Sequence, residues 1–372
     1  MQRPKILILT IPHGAAHERL ADALRRALLE IQPQLTVEVA DALRLCARWF
    51  RTYYNSYEIP LKYWPALWGW IEDKQHRHTS TGPGWLYRRG AQGLFRFLQE
   101  FDPDVVIATE VGTCELAAMA KRERHARFYL VGAPTGVDID RAWAQPEVDL
   151  YITMAGDVAS QLEAAGAPPA KIVPCGVPID PAFSSLPDRQ QARARLELRQ
   201  DLPLILVLFG GAGYGKPQSI LSELKKVTQP LQAVFITGRS RRLEEVVRRQ
   251  CEGDSRFRVL GWVSNMHEWL AAADLLVSKP GAMTVIEALN SALPLLAVDP
   301  LPGNERRACH LIEKWEVGYW MRRPADLAST IRRLLADPAE LTRLCANACA
   351  LAQPHAAREA AEAILKPWND RA

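Results

Sequence analysis

The sequence has no apolar run long enough to cross a bilayer, which takes roughly 18 to 20 residues. Its apolar N-terminal stretch, within MQRPKILILTIPHG, is too short for the core of a signal peptide and is not followed by a small-residue cleavage site. We therefore expect a cytoplasmic protein that is soluble or binds the inner face of the cell membrane peripherally, without crossing it.

The sequence also lacks closely spaced cysteine pairs and a large excess of positive or negative charge. The seven cysteines are scattered and none forms a CxxC pair, which argues against a disulfide framework and favours a reducing compartment. The net charge of the 372 residues is only +4. So weak a charge gives no reason to expect a nucleic-acid partner.

Short apolar runs alternate with helical patterns along the whole chain. The runs predicted as strands are KILILTI, LTVEVAD, DVVIATE, RFYLVGAP and VDLYITM, then LPLILVLFGG, AVFITG, RFRVLGWV, DLLVSKPG and PLLAVDP. Alternating β and α elements predict an α/β fold with parallel sheets covered on both faces. With 48% hydrophobic residues, the chain has enough apolar side chains for two cores.

Two such series, joined by a linker near Pro178–Arg189, predict two Rossmann-like domains. We assign residues 1–178 to the first and 179–353 to the second, and expect a final helix within 354–372 to pack back on the first. Ligands of such sheets bind beyond the carboxyl ends of the strands. The predicted site is therefore a cleft between the domains.

The stretch SKPGAMTVIEALNSALPLL, residues 278–296, has the pattern of a phosphate site. A strand ends, Lys279-Pro280-Gly281 forms a turn, and a helix begins. Free N–H groups and the dipole at a helix N-terminus favour an anion. Thr284 and Glu287 are one helical turn apart and can face one ligand. A phosphate at the turn and a ribose at the carboxylate would make a nucleotide site.

Residues 47–90 interrupt the alternation and contain five of the eleven tryptophans. Tyrosines, lysines and arginines are interleaved with them. Tryptophan and tyrosine favour the bilayer interface, and basic residues attract anionic headgroups. We interpret this aromatic segment as a surface that contacts lipid; the alternative is a helical hairpin folded into the core.

Several blocks resemble the monogalactosyldiacylglycerol synthase group of glycosyltransferases and its bacterial diacylglycerol glucosyltransferase relatives. The chain is more distantly similar to the glycosyltransferase that makes lipid II. The blocks are YYNSYEIPLKYWPALWGW, FDPDVVIAT, PEVDLYITMAGDVASQLEAAGAPPAKIVPCGVPIDPAF, FGGAGYGK, VLGWVSNMHEWLAAADLLVSKPGAMTVIEALNSALPLL and PGNE. They cover nearly the whole chain, and the resemblance implies a GT-B fold, with two Rossmann-like domains and an inter-domain cleft.

The resemblance implies a UDP-sugar donor held by the second domain without a metal. The donor-binding residues implied are Gly211, Gly213, Tyr214, Val263, Ser264, Met266, Lys279, Gly281, Ala282, Met283, Thr284, Glu287, Gly303, Asn304 and Glu305. In this set, Glu287 binds the ribose, and Asn304 and Glu305 hold sugar hydroxyls. Asp138 and Asp140 also form a DxD pattern, which in another glycosyltransferase fold holds a metal with the diphosphate.

His17 is the general base that the resemblance implies, and inversion at the anomeric carbon would follow. The opening turn reads His13-Gly14-Ala15-Ala16-His17, where the family usually has a GGGH-like turn. His13 could therefore share the base role. Glu110, at the end of the DVVIATE strand, is a further candidate to orient His17 or to contact the acceptor.

The acceptor region departs from the family pattern. The family's TD…H…W block becomes Thr135-Gly136, Asp140 and Trp143, so that a histidine and an acidic residue are missing at their usual places. Asp138 or Asp140 could compensate. The residues predicted to contact the acceptor or the membrane are Tyr54, Trp64, Trp68, Arg88, Arg89, Asp140 and Trp143.

We therefore predict an inverting glycosyltransferase that moves glucose or galactose from UDP-glucose or UDP-galactose to diacylglycerol or a related lipid at an anionic membrane surface. The alternatives are the same enzyme with another lipid or a polyprenyl-linked acceptor, and a non-catalytic protein that binds lipid or nucleotide sugar. A sugar epimerase of the same fold would not need residues 47–90.

Overall fold

The computed structural model describes residues 4–12, 15–56, 58–209 and 217–370. The chain folds into two compact units. The first comprises Met1–Pro181, Pro302–Asn304 and His355–Ala372; the second comprises Ala182–Leu301 and Glu305–Pro354.

The first unit has a parallel sheet of six strands in the order β2-β1-β3-β4-β5-β6. The strands are β1 (Lys5–Thr10), β2 (Thr36–Asp41), β3 (Val105–Ala108), β4 (Tyr129–Gly132), β5 (Leu150–Ile152) and β6 (Ile172–Val173). In β1 and β3 nearly every side chain is buried, as both faces of a parallel sheet require. Leu9 pairs with Ala108, and Ala108 with Gly132, so the carboxyl ends of β1, β3 and β4 are aligned.

Nine α-helices precede β6 in the described part of this unit. They are α1 (Ala16–Ile31), α2 (Ala42–Leu45), α3 (Arg48–Asn55), α4 (Glu58–Tyr63), α5 (Pro65–His76), α6 (Gly84–Gly90), α7 (Gln92–Phe101), α8 (Val111–Arg124) and α9 (Asp157–Ala165). The aromatic segment thus forms the short helices α3 to α6. None of the described helices combines the length and apolarity that crossing a membrane requires.

The second unit has its own parallel sheet of six strands, in the order β12-β11-β10-β7-β8-β9. The strands are β7 (Leu204–Leu208), β8 (Gln232–Ile236), β9 (Phe257–Leu260), β10 (Leu275–Ser278), β11 (Leu295–Ala297) and β12 (Gly318–Trp320). The helices are α10 (Arg189–Arg195), α11 (Pro217–Lys225), α12 (Arg241–Cys251), α13 (Met266–Ala272), α14 (Ala282–Asn290), α15 (Asn304–Lys314), α16 (Asp326–Ala336) and α17 (Pro338–Ala350). Phe209, Phe235 and Val277 are among the buried residues of its core.

The final helix, α18 (Ala356–Asn369), belongs to the first unit and packs against α1. Its small buried residues, among them Ala360 and Ala361, allow the two helices to approach closely. Ile364 and Leu365 complete the buried face.

The predicted α/β architecture of two parallel sheets is confirmed, and each predicted strand is present. The sequence patterns missed β6 and β12, which are two and three residues long. So short an edge strand has no periodicity to detect.

Candidate functional site

His17 lies in the first turn of α1, just beyond the carboxyl end of β1. Its Nδ1 is 2.7 Å from the carbonyl oxygen of Thr109, which directly follows β3. A carbonyl can only accept, so this hydrogen bond requires the proton on Nδ1. In the neutral ring, Nε2 then keeps the lone pair that a general base needs.

Glu110 is the buried N-terminal cap of α8. Its Oε2 accepts from the backbone N–H of Thr113 at 3.1 Å, and its Oε1 accepts from the hydroxyl of Tyr54 at 2.9 Å. Burial and the Glu110 carboxylate together raise the pKa of Tyr54 well above its usual value, so the phenol stays protonated and donates. Two residues predicted from separate parts of the sequence are thus direct partners.

A third cluster follows β4. The imidazole of His76, the last residue of α5, lies between the carboxylates of Asp138 and Asp140. Nδ1 is 2.8 Å from Asp140 Oδ1, and Nε2 is 3.5 Å from Asp138 Oδ2. Sequence reasoning missed His76, because it is 64 residues away from Asp140 and belongs to no motif.

The two carboxylates of the DxD pattern share one imidazole as their partner. Each carboxylate faces a different nitrogen of one imidazole, whereas a metal would draw its ligands around one point. Within residues 4–12, 15–56, 58–209 and 217–370, no group of three His, Cys, Asp or Glu side chains could hold a metal ion.

Most aromatic side chains of α3 to α6 face outward. The large apolar residues exposed by 43 to 63% are Trp49, Tyr53, Ile59, Tyr63, Trp64, Leu67, Trp70 and Trp85. The alternative of an aromatic hairpin in the core is therefore wrong for most of the segment. Phe50 and Tyr87 are the buried exceptions, and Trp68 is half-buried.

The basic residues of this surface differ in their partners. Arg88 forms a salt bridge with Glu123, with Nε 2.7 Å from Oε2. Arg89 is exposed, and Lys74 lies 3.8 Å from the ring centre of Trp70. A lipid headgroup would have to compete with Glu123 for Arg88 but could approach Arg89 directly.

Trp143, predicted to contact the acceptor, is packed in the core. It is 5% exposed and lies against Gly132 and Tyr151. The main-chain oxygen of Trp143 accepts from the Tyr151 hydroxyl at 3.0 Å. Its indole ring therefore packs beside the carboxyl end of β4 and offers almost no surface to a ligand.

In the second unit, β10 is followed by Lys279 and Pro280, and Gly281 is the N-terminal cap of α14. A Cβ at Gly281 would meet no atom within 4 Å, so the space before this helix is open. Ala282, Met283 and Thr284 form the first turn. The backbone N–H groups at a helix N-terminus suit an anion.

Glu287 lies on the same helix and is 1% exposed. Glu287 is therefore not a solvated surface residue. A carboxylate in a dry environment is costly unless it is hydrogen-bonded, so its position has a structural or binding purpose.

Lys279 and Glu305 form an ion pair, with Nζ 3.3 Å from Oε1. The other oxygen of Glu305 accepts from the backbone N–H of Leu301 at 2.6 Å. The pair therefore fixes the loop after β11 beside the turn after β10. Both residues were predicted to bind the donor.

The other predicted donor residues within the described ranges follow β9 and β11, and Met266 and Asn304 are the first residues of α13 and α15. Val263, Ser264 and Met266 follow β9, and Ser264 is exposed. Gly303, with φ +82°, and Asn304 belong to the first unit, where the Asn304 N–H donates to Glu72 at 2.8 Å. His13, Gly211, Gly213 and Tyr214 lie outside the described residues.

The chain matches two family models. Residues 17–179 match monogalactosyldiacylglycerol (MGDG) synthase, and residues 205–311 match the glycosyltransferase family 28 C-terminal domain. It is 23% identical over 327 residues to the processive diacylglycerol beta-glucosyltransferase of Staphylococcus epidermidis, covering 84% of this chain and 80% of that protein. It is 24% identical over 373 residues to monogalactosyldiacylglycerol synthase 3 of Arabidopsis thaliana, covering 94% and 78%.

Solved structures share the fold at lower identity. MurG of Acinetobacter baumannii is 15% identical with a TM-score of 0.61, covering 98% of this chain and 100% of that one. Anabaena HepE in complex with UDP-glucose is 16% identical with a TM-score of 0.56 at the same coverage. The UDP-GlcNAc 2-epimerase of Neisseria meningitidis is 12% identical with a TM-score of 0.61, again at the same coverage. Because MurG and the epimerase have the same TM-score, these structures establish the GT-B fold but do not identify the reaction.

Proposed function

Because the chain belongs to the monogalactosyldiacylglycerol synthase and diacylglycerol glucosyltransferase group of GT-B glycosyltransferases, we propose that it transfers glucose or galactose from a UDP-sugar to diacylglycerol. The reaction takes place at a membrane surface and inverts the anomeric centre, so an α-linked donor yields a β-glycosyl lipid. The second unit binds the donor, and the first unit provides the base and binds the lipid.

One hydrogen bond supports this activity above all, that from His17 Nδ1 to the Thr109 carbonyl. A glycerol hydroxyl is a poor nucleophile, and a base must accept its proton as the new bond forms. His17 Nε2 takes that proton while the nucleoside diphosphate leaves with the electron pair of the broken glycosidic bond. The Thr109 carbonyl then holds the imidazolium in place.

The leaving diphosphate needs stabilisation as its negative charge grows. The open N-terminus of α14 at Gly281 supports a diphosphate there, because backbone N–H groups stabilise developing charge without reorganising. Buried Glu287 fits the ribose hydroxyls, and Glu305 fits the sugar hydroxyls. The proposal requires no metal and no other cofactor.

The exposed aromatic residues of α3 to α6 support action at a membrane. Several large tryptophan and tyrosine side chains, each about half exposed, are unusual for a surface that meets only water. They also argue against an epimerase, whose substrate is a free nucleotide sugar.

A second candidate function keeps the donor and changes the lipid. The acceptor region lacks the family's usual TD…H…W block and instead has His76 paired with Asp140. This departure favours a related lipid acceptor with a different headgroup, or a polyprenyl-linked sugar.

The test is to incubate the purified chain with UDP-glucose or UDP-galactose and anionic vesicles that contain diacylglycerol. We expect a glycolipid whose mass gives the number of sugars and whose anomeric NMR coupling is that of a β-glycoside. An α-product would refute inversion, and no product with either donor would refute diacylglycerol transfer. Product from vesicles with another lipid instead would establish the second candidate.

The variant His17→Asn removes the basic nitrogen of His17 but can keep its hydrogen bond to Thr109. The asparagine amide can still donate to the Thr109 carbonyl, but it has no basic nitrogen. We expect kcat to fall about 10²- to 10⁴-fold, the usual contribution of a general base, with the unfolding temperature little changed.

His125→Asn is the matched control, because His125 is an exposed histidine of the same unit that lies outside residues 47–90. It should keep wild-type turnover. If His17→Asn also keeps it, His17 is not the base; if the wild type binds donor and lipid but never turns over, the chain is a binding protein.

A further inference from the structure

We propose that His76 is a positioning residue for the lipid acceptor, which deepens the proposed function and rests on it. His76 Nδ1 donates to Asp140 Oδ1, and this fixes the carboxylate so that its other oxygen, Oδ2, accepts a hydrogen bond from a hydroxyl of the acceptor headgroup. No motif in the sequence points to His76.

The geometry of the contact between His76 and Asp140 supports a fixed orientation of the Asp140 carboxylate. The distance from Nδ1 to Oδ1 is 2.8 Å, and the side chains of His76 and Asp140 are 22% and 25% exposed, so solvent only partly screens the contact. Asp138 faces the opposite nitrogen at 3.5 Å and keeps the ring from turning. Oδ2 of Asp140 has no hydrogen-bond partner in the part of the chain that the structure describes.

The sheet order places the segment that bears Asp140 at the same edge of the sheet as His17. His17 follows β1 and Asp140 follows β4, with only β3 between these strands. Neighbouring strands are about 4.8 Å apart, so the two strand ends are roughly 10 Å apart. A lipid headgroup bound at His17 would therefore lie at the same sheet edge as the segment that bears Asp140.

The charges of His76, Asp138 and Asp140 favour one kind of acceptor headgroup. Two carboxylates and one imidazole have a net negative charge whether or not the imidazole is protonated. A phosphate would be repelled, whereas a hydroxyl can donate to a carboxylate. The cluster therefore fits an uncharged headgroup that bears a hydroxyl.

His76 is not the only residue that anchors its segment, so its replacement should not unfold the unit. The backbone N–H of Thr81 donates to the buried carboxylate of Glu115 at 3.0 Å. The side chain of Gln145 donates to the carbonyl of Thr79 at 3.2 Å. These contacts keep the chain after α5 in place while the orientation of Asp140 changes.

The experiment measures acceptor and donor kinetics on diacylglycerol vesicles for His76→Phe and His76→Asn. Phenylalanine keeps a flat ring and loses both nitrogens; asparagine keeps a donor near the position of Nδ1. For His76→Phe we expect kcat/KM for the acceptor to fall about 10- to 100-fold, the usual effect of losing a hydrogen bond to a charged group. The donor KM should not change, and His76→Asn should recover most of the loss.

A double-mutant cycle with Asp140→Asn distinguishes positioning from a general structural effect. If His76 acts through Asp140, His76→Phe should have little further effect in the Asp140→Asn background. Additive losses, equal changes in donor and acceptor KM, or a folded His76→Phe variant within twofold of wild type would each overturn the proposal.

If His76→Phe does not fold, the single variant Asp140→Asn tests the same proposal. It should lower acceptor kcat/KM at constant donor KM, and an unaffected Asp140→Asn would refute the role of His76. A wild type that is inactive on every lipid is a different outcome, because it refutes the proposed function itself.

Discussion

A single main-chain carbonyl determines which nitrogen of His17 can act as the base. The sequence predicted His17 through its family resemblance, but it had no means to identify Thr109 as the partner, 92 residues away. Glu110 was predicted to orient His17 or contact the acceptor, and its observed contacts are to Tyr54 and the N-terminus of α8. Those roles of Glu110 stay predictions.

Gly112 is required for the contact between Tyr54 and Glu110. A Cβ at position 112 would lie 2.1 Å from the Tyr54 hydroxyl and 2.9 Å from its Cζ. Gly112→Ala should therefore push Tyr54 away from Glu110. We expect a net loss of about 1 kcal/mol in the free energy of unfolding, because overpacking costs about 1–3 kcal/mol and the alanine regains about 1 kcal/mol in a helix.

Urea unfolding of Gly112→Ala in wild-type and Tyr54→Phe backgrounds measures this effect. Tyr54→Phe removes the atom that collides first, so alanine should cost less there. An equal cost in both backgrounds would mean that Tyr54 is not what Gly112 accommodates.

For the helices α3 to α6, the sequence indicated an unusual aromatic segment but did not predict its secondary structure. Tryptophan, tyrosine and basic residues identified residues 47–90 as unusual, and the structure confirms that most of the aromatic side chains are exposed. Their division into four short helices was not predicted.

Trp64→Ser combined with Trp70→Ser should weaken binding to anionic vesicles about tenfold or more. Burying a large aromatic side chain in the interface contributes on the order of 1–2 kcal/mol. Vesicle co-sedimentation checks the prediction, with the thermal unfolding temperature expected to stay near that of the wild type.

Trp262→Ser provides the control for exposure alone. Trp262 is 54% exposed, much like Trp64 and Trp70, but lies in the second unit beside Arg239. Its replacement should leave vesicle binding intact. If both variants bind vesicles equally well, Trp64 and Trp70 do not contact lipid.

At the scale of the whole chain, the last helix, α18, belongs to the same unit as the first strand and packs against α1. α18 packs its alanine-rich face and Ile364 against α1. Tyr129 and Trp368 also meet, with ring centres 5.6 Å apart. The stability of the first unit therefore depends on residues more than 300 positions from its opening strand.

Ile364→Ala should lower the free energy of unfolding by about 2–5 kcal/mol, as a buried large-to-small change does. Glu362→Ala, on the exposed face of the same helix, should change it by less than about 0.5 kcal/mol. Urea unfolding of the two variants makes the comparison, and equal effects would show that α18 does not stabilise the unit through this face.

Local patterns in the sequence were sufficient for the two parallel sheets, the turn before α14 and the exposed aromatic segment, because burial and backbone conformation follow from short-range periodicity and turn residues. The tertiary structure alone decided that His17 meets Thr109, that Tyr54 meets Glu110 and that His76 meets Asp140. These partners lie in different loops and helices, and only the order and register of β1, β3 and β4 bring them to one edge of the sheet.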